Sequence, residues 1–228
     1  MLAFDHLVVA APDPEDARKQ FTKTTQLTGV PGGHHSNWGT HNQLCYFSKN
    51  SYIEWIGIEN NSQAETTTNP LIRNLKYSLD HDITGPIQFG LRTDNMDEYI
   101  RHLTEQGINF QGPYHGERKK QDGSLLKWRM LFPTAQSVSS LPFLIEWEGE
   151  NLPEDLSCIN EQEFTEIVTG VDDLDQAVPL FRKIYQFGPP HVTEDQMGNT
   201  AYQWALAHGL LTLNEGNQVH ACFNPIFI

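Results

Sequence analysis

Two glutamates sit in the same five-residue frame, Ile53-Glu54-Trp55-Ile56-Gly57 and Ile145-Glu146-Trp147-Glu148-Gly149, each closing an apolar run. An acid inside a strand-like pattern is costly to bury unless another group pairs with it or coordinates it, and here that cost arises twice in equivalent places. Polar residues also interrupt three apolar strands near their starts. Counted back seven residues from the turn residues Asp13, Asn95 and Asp173, they are His6, Gln88 and Glu166. Side chains of these types either move protons or donate nitrogen and oxygen to a cation.

The elements that must position them repeat along the chain. Phe4 to Ala10 reads as a strand, and Pro12-Asp13-Pro14 then opens a helix through Ala17, Phe21 and Leu27. The same order returns with the strand Pro86 to Arg92, followed by a helix carrying Met96, Tyr99, Ile100 and Leu103. A third copy runs from the strand Phe164 to Thr169 into a helix with Leu174, Ala177, Leu180, Phe181 and Ile184 on one face. Short strands follow each helix. In the first unit they are His41 to Phe47 and Tyr52 to Ile58, split by the turn Ser48-Lys49-Asn50; in the second, Leu125 to Phe132 after the turn Gln121-Asp122-Gly123, then Phe143 to Trp147. The third unit has Ala201 to Ala207 and Leu210 to Leu213. Strand, helix and two or three antiparallel strands predict a mixed sheet with helices on one face, the other face being free to curl around a pocket. The expected modules span 1–60, 61–150 with a polar linker at Asn60 to Asn69, and 151–228.

Composition narrows the partners. Of the 228 residues 38% are hydrophobic, enough for a real core, so the chain is globular. A formal charge of −14 repels phosphate backbones and anionic headgroups, which disfavours nucleic acid and membranes. Cys45, Cys158 and Cys222 are odd in number and far apart, which suggests neither a disulfide framework nor a thiolate metal site and fits a reducing cytoplasm. No apolar stretch approaches a membrane span, and Met1 to His6 lacks the basic start of a signal peptide.

Duplicated βαβββ units, with a ligand-type residue in the first strand and a glutamate in the last, resemble the vicinal oxygen chelate superfamily of glyoxalase I, extradiol dioxygenases and bleomycin-resistance proteins. The stretch Gly32 to Asn42, with Leu126-Lys127-Trp128-Arg129 and Leu141 to Trp147, is similar to the glyoxalase-like domain branch. The resemblance implies an α+β fold of tandem βαβββ modules forming a cupped mixed sheet, with a third, degenerate module at the C-terminus. It also implies a divalent metal held by His6, Glu54, Gln88 and Glu146. Such a donor set suits Zn²⁺, Mn²⁺, Fe²⁺, Co²⁺ or Ni²⁺, with Glu54 and Glu146 as paired acid and base on a small oxygenated substrate. Gln88 has a second reading, since glutamine equally satisfies buried backbone groups.

Strand alternation predicts Glu54 on the face of Tyr52 and Ile56, Glu146 on that of Leu144, and Trp55 and Trp147 toward the helices. His41 and Asn42 open a strand beside the one carrying Glu54 and are placed at the substrate rim, whereas His34 and His35 read as exposed loop residues. Trp128 and Arg129 are further substrate candidates, although the Lys127 to Arg129 strand could equally present a solvated face. In the third unit, Thr212-Leu213-Asn214-Glu215-Gly216 puts Leu213 at the acid's position. That unit is then left to cover a sheet edge, close over the cup or mediate a homodimer. Two functions follow: a metal-dependent lyase, isomerase or oxygenase, or a non-catalytic small-molecule binder without metal.

Overall fold

A near-unbroken apolar run sends β1 (Ala3–Ala10) through the middle of the molecule, buried along its whole length. The Asp13 side chain accepts a hydrogen bond from the Asp16 N–H and Pro14 occupies the first turn, starting α1 (Pro14–Thr25). Three strands follow: β2 (Val30–His35), β3 (Thr40–Phe47) and β4 (Ser51–Ile58). The β3–β4 turn is Ser48-Lys49-Asn50, with Lys49 and Asn50 in the left-handed region. These coordinates are a computed structural model that describes residues 1–119, 125–136, 138 and 141–228.

The segment read as a linker contains α2 (Asn61–Thr66) and leads directly into α3 (Pro70–Asp80). Asn69 caps the Leu71 N–H, and Leu71, Ile72 and Leu75 form the buried face of α3. The second module then runs through β5 (Gly85–Arg92), α4 (Met96–Glu105), β6 (Phe110–Lys119), β7 (Leu125–Pro133) and β8 (Phe143–Glu148). The expected turn Gln121-Asp122-Gly123 lies outside the described residues. The last part comprises β9 (Phe164–Val171), α5 (Leu174–Tyr185), β10 (His191–Glu194), β11 (Thr200–Ala205), β12 (Leu210–Glu215), β13 (Val219–Phe223) and β14 (Ile226–Phe227). Asn95 and Asp173 cap α4 and α5 as Asp13 caps α1, each accepting a backbone N–H three residues on.

The first eight strands make one curled mixed sheet, ordered β2-β3-β4-β1-β5-β8-β7-β6, and the last six make a second, ordered β10-β11-β12-β9-β13-β14. β1 pairs parallel with β4, β5 parallel with β8, and β1 and β5 run antiparallel at the centre. The fold is therefore α+β, built from βαβββ modules, with a smaller C-terminal sheet. The helix-side face of the large sheet shares one core with the C-terminal module: Phe4 stacks on Phe164 and Phe47 on Phe223, each at 4.0 Å. That module backs the sheet on the side opposite the cup. On the cup side, α3 sets Leu71, Ile72 and Leu75 among Val8, Ile56 and Met130. Among the described residues no helix is long and apolar enough to cross a membrane.

Candidate functional site

Strand register decides which side chains enter the cup. In the first module His6 pairs with Tyr52, and Glu54 two residues further along β4 faces the same side; all three line the cavity with Ile56. In the second module the corresponding parallel pair is Gly90 with Phe143, so Ile145 takes the position of Glu54. His6 also lies directly opposite Gly90 across the β1–β5 pair, where a Cβ on Gly90 would stand 3.2 Å from the imidazole. Gly90 and Ile145 thus occupy, in module two, the places of His6 and Glu54.

The two frames that look alike in sequence are therefore one residue out of register, which reverses the faces. Ile145 and Trp147 point into the cavity. Glu146 points to the helix side, accepting the Met96 N–H at 2.9 Å and the Arg129 Nε–H at 2.6 Å. Trp55 does face the helices, packing on Phe21, but Trp147 does not. Gln88 lies outside the cavity lined by His6 and Glu54 and donates to the Leu141 carbonyl at 3.1 Å, satisfying backbone. Arg129 bridges Asp97 and Glu146 on that same helix side, whereas Trp128 lines the cavity. Of the rim candidates, Asn42 enters the cavity; His41 alternates away and stacks on His34 at 6.2 Å. His34 binds Glu59 at 2.6 Å. In the third module the register puts Thr212, not Leu213, at the Glu54 position, where its hydroxyl donates to Glu166 at 2.5 Å. Leu213 is buried in the shared core.

The polar floor of the cavity is a chain of buried groups. Asp5 accepts from His6 Nδ1 at 2.6 Å, His6 Nε2 lies 3.5 Å from Glu54 Oε2, and Asn42 donates to Glu54 Oε1 at 2.5 Å. Asn42 is itself held by the Gly33 N–H at 2.7 Å. Burial opposes a charge on His6, yet its hydrogen bonds to Asp5 and Glu54 and their negative charges hold its pKa up at about 9. For Glu54, burial likewise opposes ionisation, but His6 and Asn42 bring its pKa down to about 2. His6 and Glu54 therefore form a buried ion pair at neutral pH.

Residues that sequence reading did not select complete the walls. His35, expected on an exposed loop, is buried against Trp38 and Trp128, bonds to Thr40 Oγ1 at 3.0 Å, and has its pKa lowered by that burial. Trp147 lies 5.2 Å from Trp128, and Arg118 and Asn151 stand at the mouth. The alternation Thr40-His41-Asn42 carried the signal for Asn42, and the Leu71, Ile72, Leu75 spacing after Asn69-Pro70 carried that for α3. No local pattern marks Arg118, whose place depends on its pairing with Leu126 on the neighbouring antiparallel strand.

Trp128 can lie flat over β6 only because its cross-strand partner is Gly116, where any Cβ would overlap the indole. Gly116→Ala is expected to destabilise the fold by about 1–3 kcal/mol and to alter tryptophan fluorescence. Urea unfolding with an unchanged midpoint would show that the wall yields freely.

A divalent ion drawing on both modules would find His6 Nε2 and Glu54 in one, but Gly90 and Ile145 in the other. Two donors fall short of the three protein ligands that even an open catalytic zinc site carries. Among the described residues no group of three or more His, Cys, Asp or Glu is placed to hold a metal. The residues present do not fit the four-ligand centre.

A curled mixed sheet of βαβββ modules with a cavity on its concave side defines a vicinal oxygen chelate protein. Residues 4–185 match the model of the glyoxalase-like domain, and the chain belongs to that family. No curated protein matches it. Among solved structures, a hypothetical protein from Staphylococcus aureus has 19% identity and a TM-score of 0.76, over 96% of this chain and 88% of that one. A Streptomyces coelicolor methylmalonyl-CoA epimerase variant in complex with 2-nitronate-propionyl-CoA has 14% identity and a TM-score of 0.49, over 67% of this chain and 100% of that one. The methylmalonyl-CoA epimerase of Mycobacterium tuberculosis has 16% identity and a TM-score of 0.43, over 64% and 86%. At 19% identity the likeness to the staphylococcal structure is one of fold.

Proposed function

We propose that this chain is a small-molecule-binding member of its family, holding its ligand in the cup of the first two modules without a resident metal. The observation that carries this reading is the cavity itself: apolar walls from both modules meet a buried polar floor of His6, Glu54 and Asn42, the lining expected of a ligand pocket. Glu54, fixed by Asn42 and His6 and held at a pKa of about 2, is a poor base at neutral pH, so the floor orients a ligand better than it deprotonates one.

A metal-dependent lyase, isomerase or oxygenase is the second reading. It rests on Asp5, which stands behind His6 as a carboxylate stands behind a metal-binding imidazole. Elemental analysis of protein purified without an affinity tag, before and after reconstitution with Zn²⁺, Mn²⁺, Fe²⁺, Co²⁺ and Ni²⁺, separates the two. Occupancy near zero is expected. A stoichiometric ion that survives dialysis and is lost in His6→Ala would sink the metal-free reading.

A further inference from the structure

The geometry points to an anionic, flat apolar ligand, an aryl monocarboxylate in chemical class, with Arg118 as the group that binds its carboxylate; this assignment rests on the cup being a binding site.

Arg118 is half-buried and lies between two spaces, an inner chamber of about 30 Å³ over the His6–Glu54 floor and an outer one of about 280 Å³. The inner chamber holds a water or two as it stands. Arg118 lines both chambers, and a ring can enter the inner one only by displacing the side chains around it. Nη2 donates to Tyr46 Oη at 3.1 Å and to Asn151 Oδ1 at 2.8 Å, both neutral acceptors, and among the described residues Nε and Nη1 donate to nothing. No carboxylate among the described residues pairs with it. Elsewhere on the large sheet, Arg92 has Asp5, and Arg129 has Asp97 and Glu146. A chain with 29 acidic residues against 15 basic ones nonetheless brings no carboxylate of the described residues into an ion pair with this guanidinium.

Charge bookkeeping around the cup gives the same answer. Among the described residues of the inner floor, Asp5 and Glu54 are matched by Arg92 and His6, so neither is left over for Arg118. Glu154 and Asp155 line the outer mouth and are exposed to water, which screens their charges. A half-buried guanidinium with spare N–H groups is a ready partner for a carboxylate, which it can grip through two parallel hydrogen bonds. The rest of the ligand is set by the walls. Trp38, Trp128 and Trp147, with Met130 and Ile145, offer indole faces and aliphatic edges suited to a ring. A cationic ligand would meet Arg118 head-on, and a neutral one would leave its charge unmatched.

The test is isothermal titration of the full chain with benzoate, phenylacetate and 1-naphthoate, each paired with its neutral amide. At least one acid is expected to bind about tenfold or more tightly than its amide. Arg118→Gln should bring each acid to within about twofold of its amide, chiefly by weakening the acid, with Arg118→Lys recovering part of the preference. Acids and amides that bind the native chain equally, or an acid preference that survives Arg118→Gln, would overturn the anion assignment and leave the binding cup standing. Absence of binding by all six probes would overturn both.

Discussion

Asp5→Ala is expected to lower the free energy of unfolding by about 3–5 kcal/mol, the range measured when one member of a buried charged pair is removed. The carboxylate is fully buried and accepts from three donors on three strands: His6 Nδ1 at 2.6 Å, Arg92 Nη1 at 3.2 Å and Trp147 Nε1 at 3.1 Å. The position is made by an irregularity in the β1–β5 register between Phe4 and His6, which leaves Asp5 as the extra residue. Alanine would leave the buried His6 Nδ1–H without its acceptor and take one from the Trp147 indole N–H, while Arg92 would keep the Asn50 and Lys49 carbonyls. Asp5→Asn should recover only part of the loss, because an amide presents a donor where donors already converge. Urea unfolding followed by circular dichroism gives the difference directly. A cost below about 1 kcal/mol would mean that Asp5 is a surface-like residue and that the polar floor has another support.

What the sequence could and could not reveal divides along the range of the interaction. Helix starts were legible because Asp13, Asn95 and Asp173 act within three residues of themselves. His6 and Glu54 could be brought together because the strands that carry them pair directly and each polar residue stands out in an otherwise apolar run. Glu146 could not be placed, because a shift of one residue between β5 and β8 turns its side chain over, and Leu144, Ile145 and Trp147 are apolar on both faces and so leave no alternation to read. The cross-strand pair of Arg129 with Glu146 is the physical cause of that choice: an acid that has an arginine opposite it and an α4 N–H beside it is satisfied on the helix side. His35 and Arg118 escaped for a related reason. Each is polar by type and is covered in part by neighbours distant in sequence, Trp128 for His35 and Tyr46 and Asn151 for Arg118.

The stability of this protein should fall as the pH rises from about 6.5 to about 9, by an amount that His6 supplies. Its folded pKa of about 9 lies above its ordinary value of 6.5, so the protonated ring favours the native state. That contribution is complete below pH 6.5 and is lost as the pH passes through 9, a change of about 3 kcal/mol by linkage. Glu54 has the opposite sign: its folded pKa of about 2 lies below 4.5, so its contribution is present above pH 4.5 and is lost as the pH falls through 2. The two shifts describe largely one attraction seen from its two ends and are not to be added. The alkaline limb is the cleaner test, since acid titrates every carboxylate of a chain rich in them, whereas burial pushes the cup's Tyr46 and Tyr52 hydroxyls upward, away from this window. Urea unfolding of the native chain between pH 6.5 and 9.5 should therefore show the decline, and His6→Gln, which keeps a donor of similar size but no titrating ring, should be less stable at pH 6.5 and nearly flat across the same interval. Parallel curves for the two proteins would place the alkaline transition elsewhere and deny the cup its imidazolium.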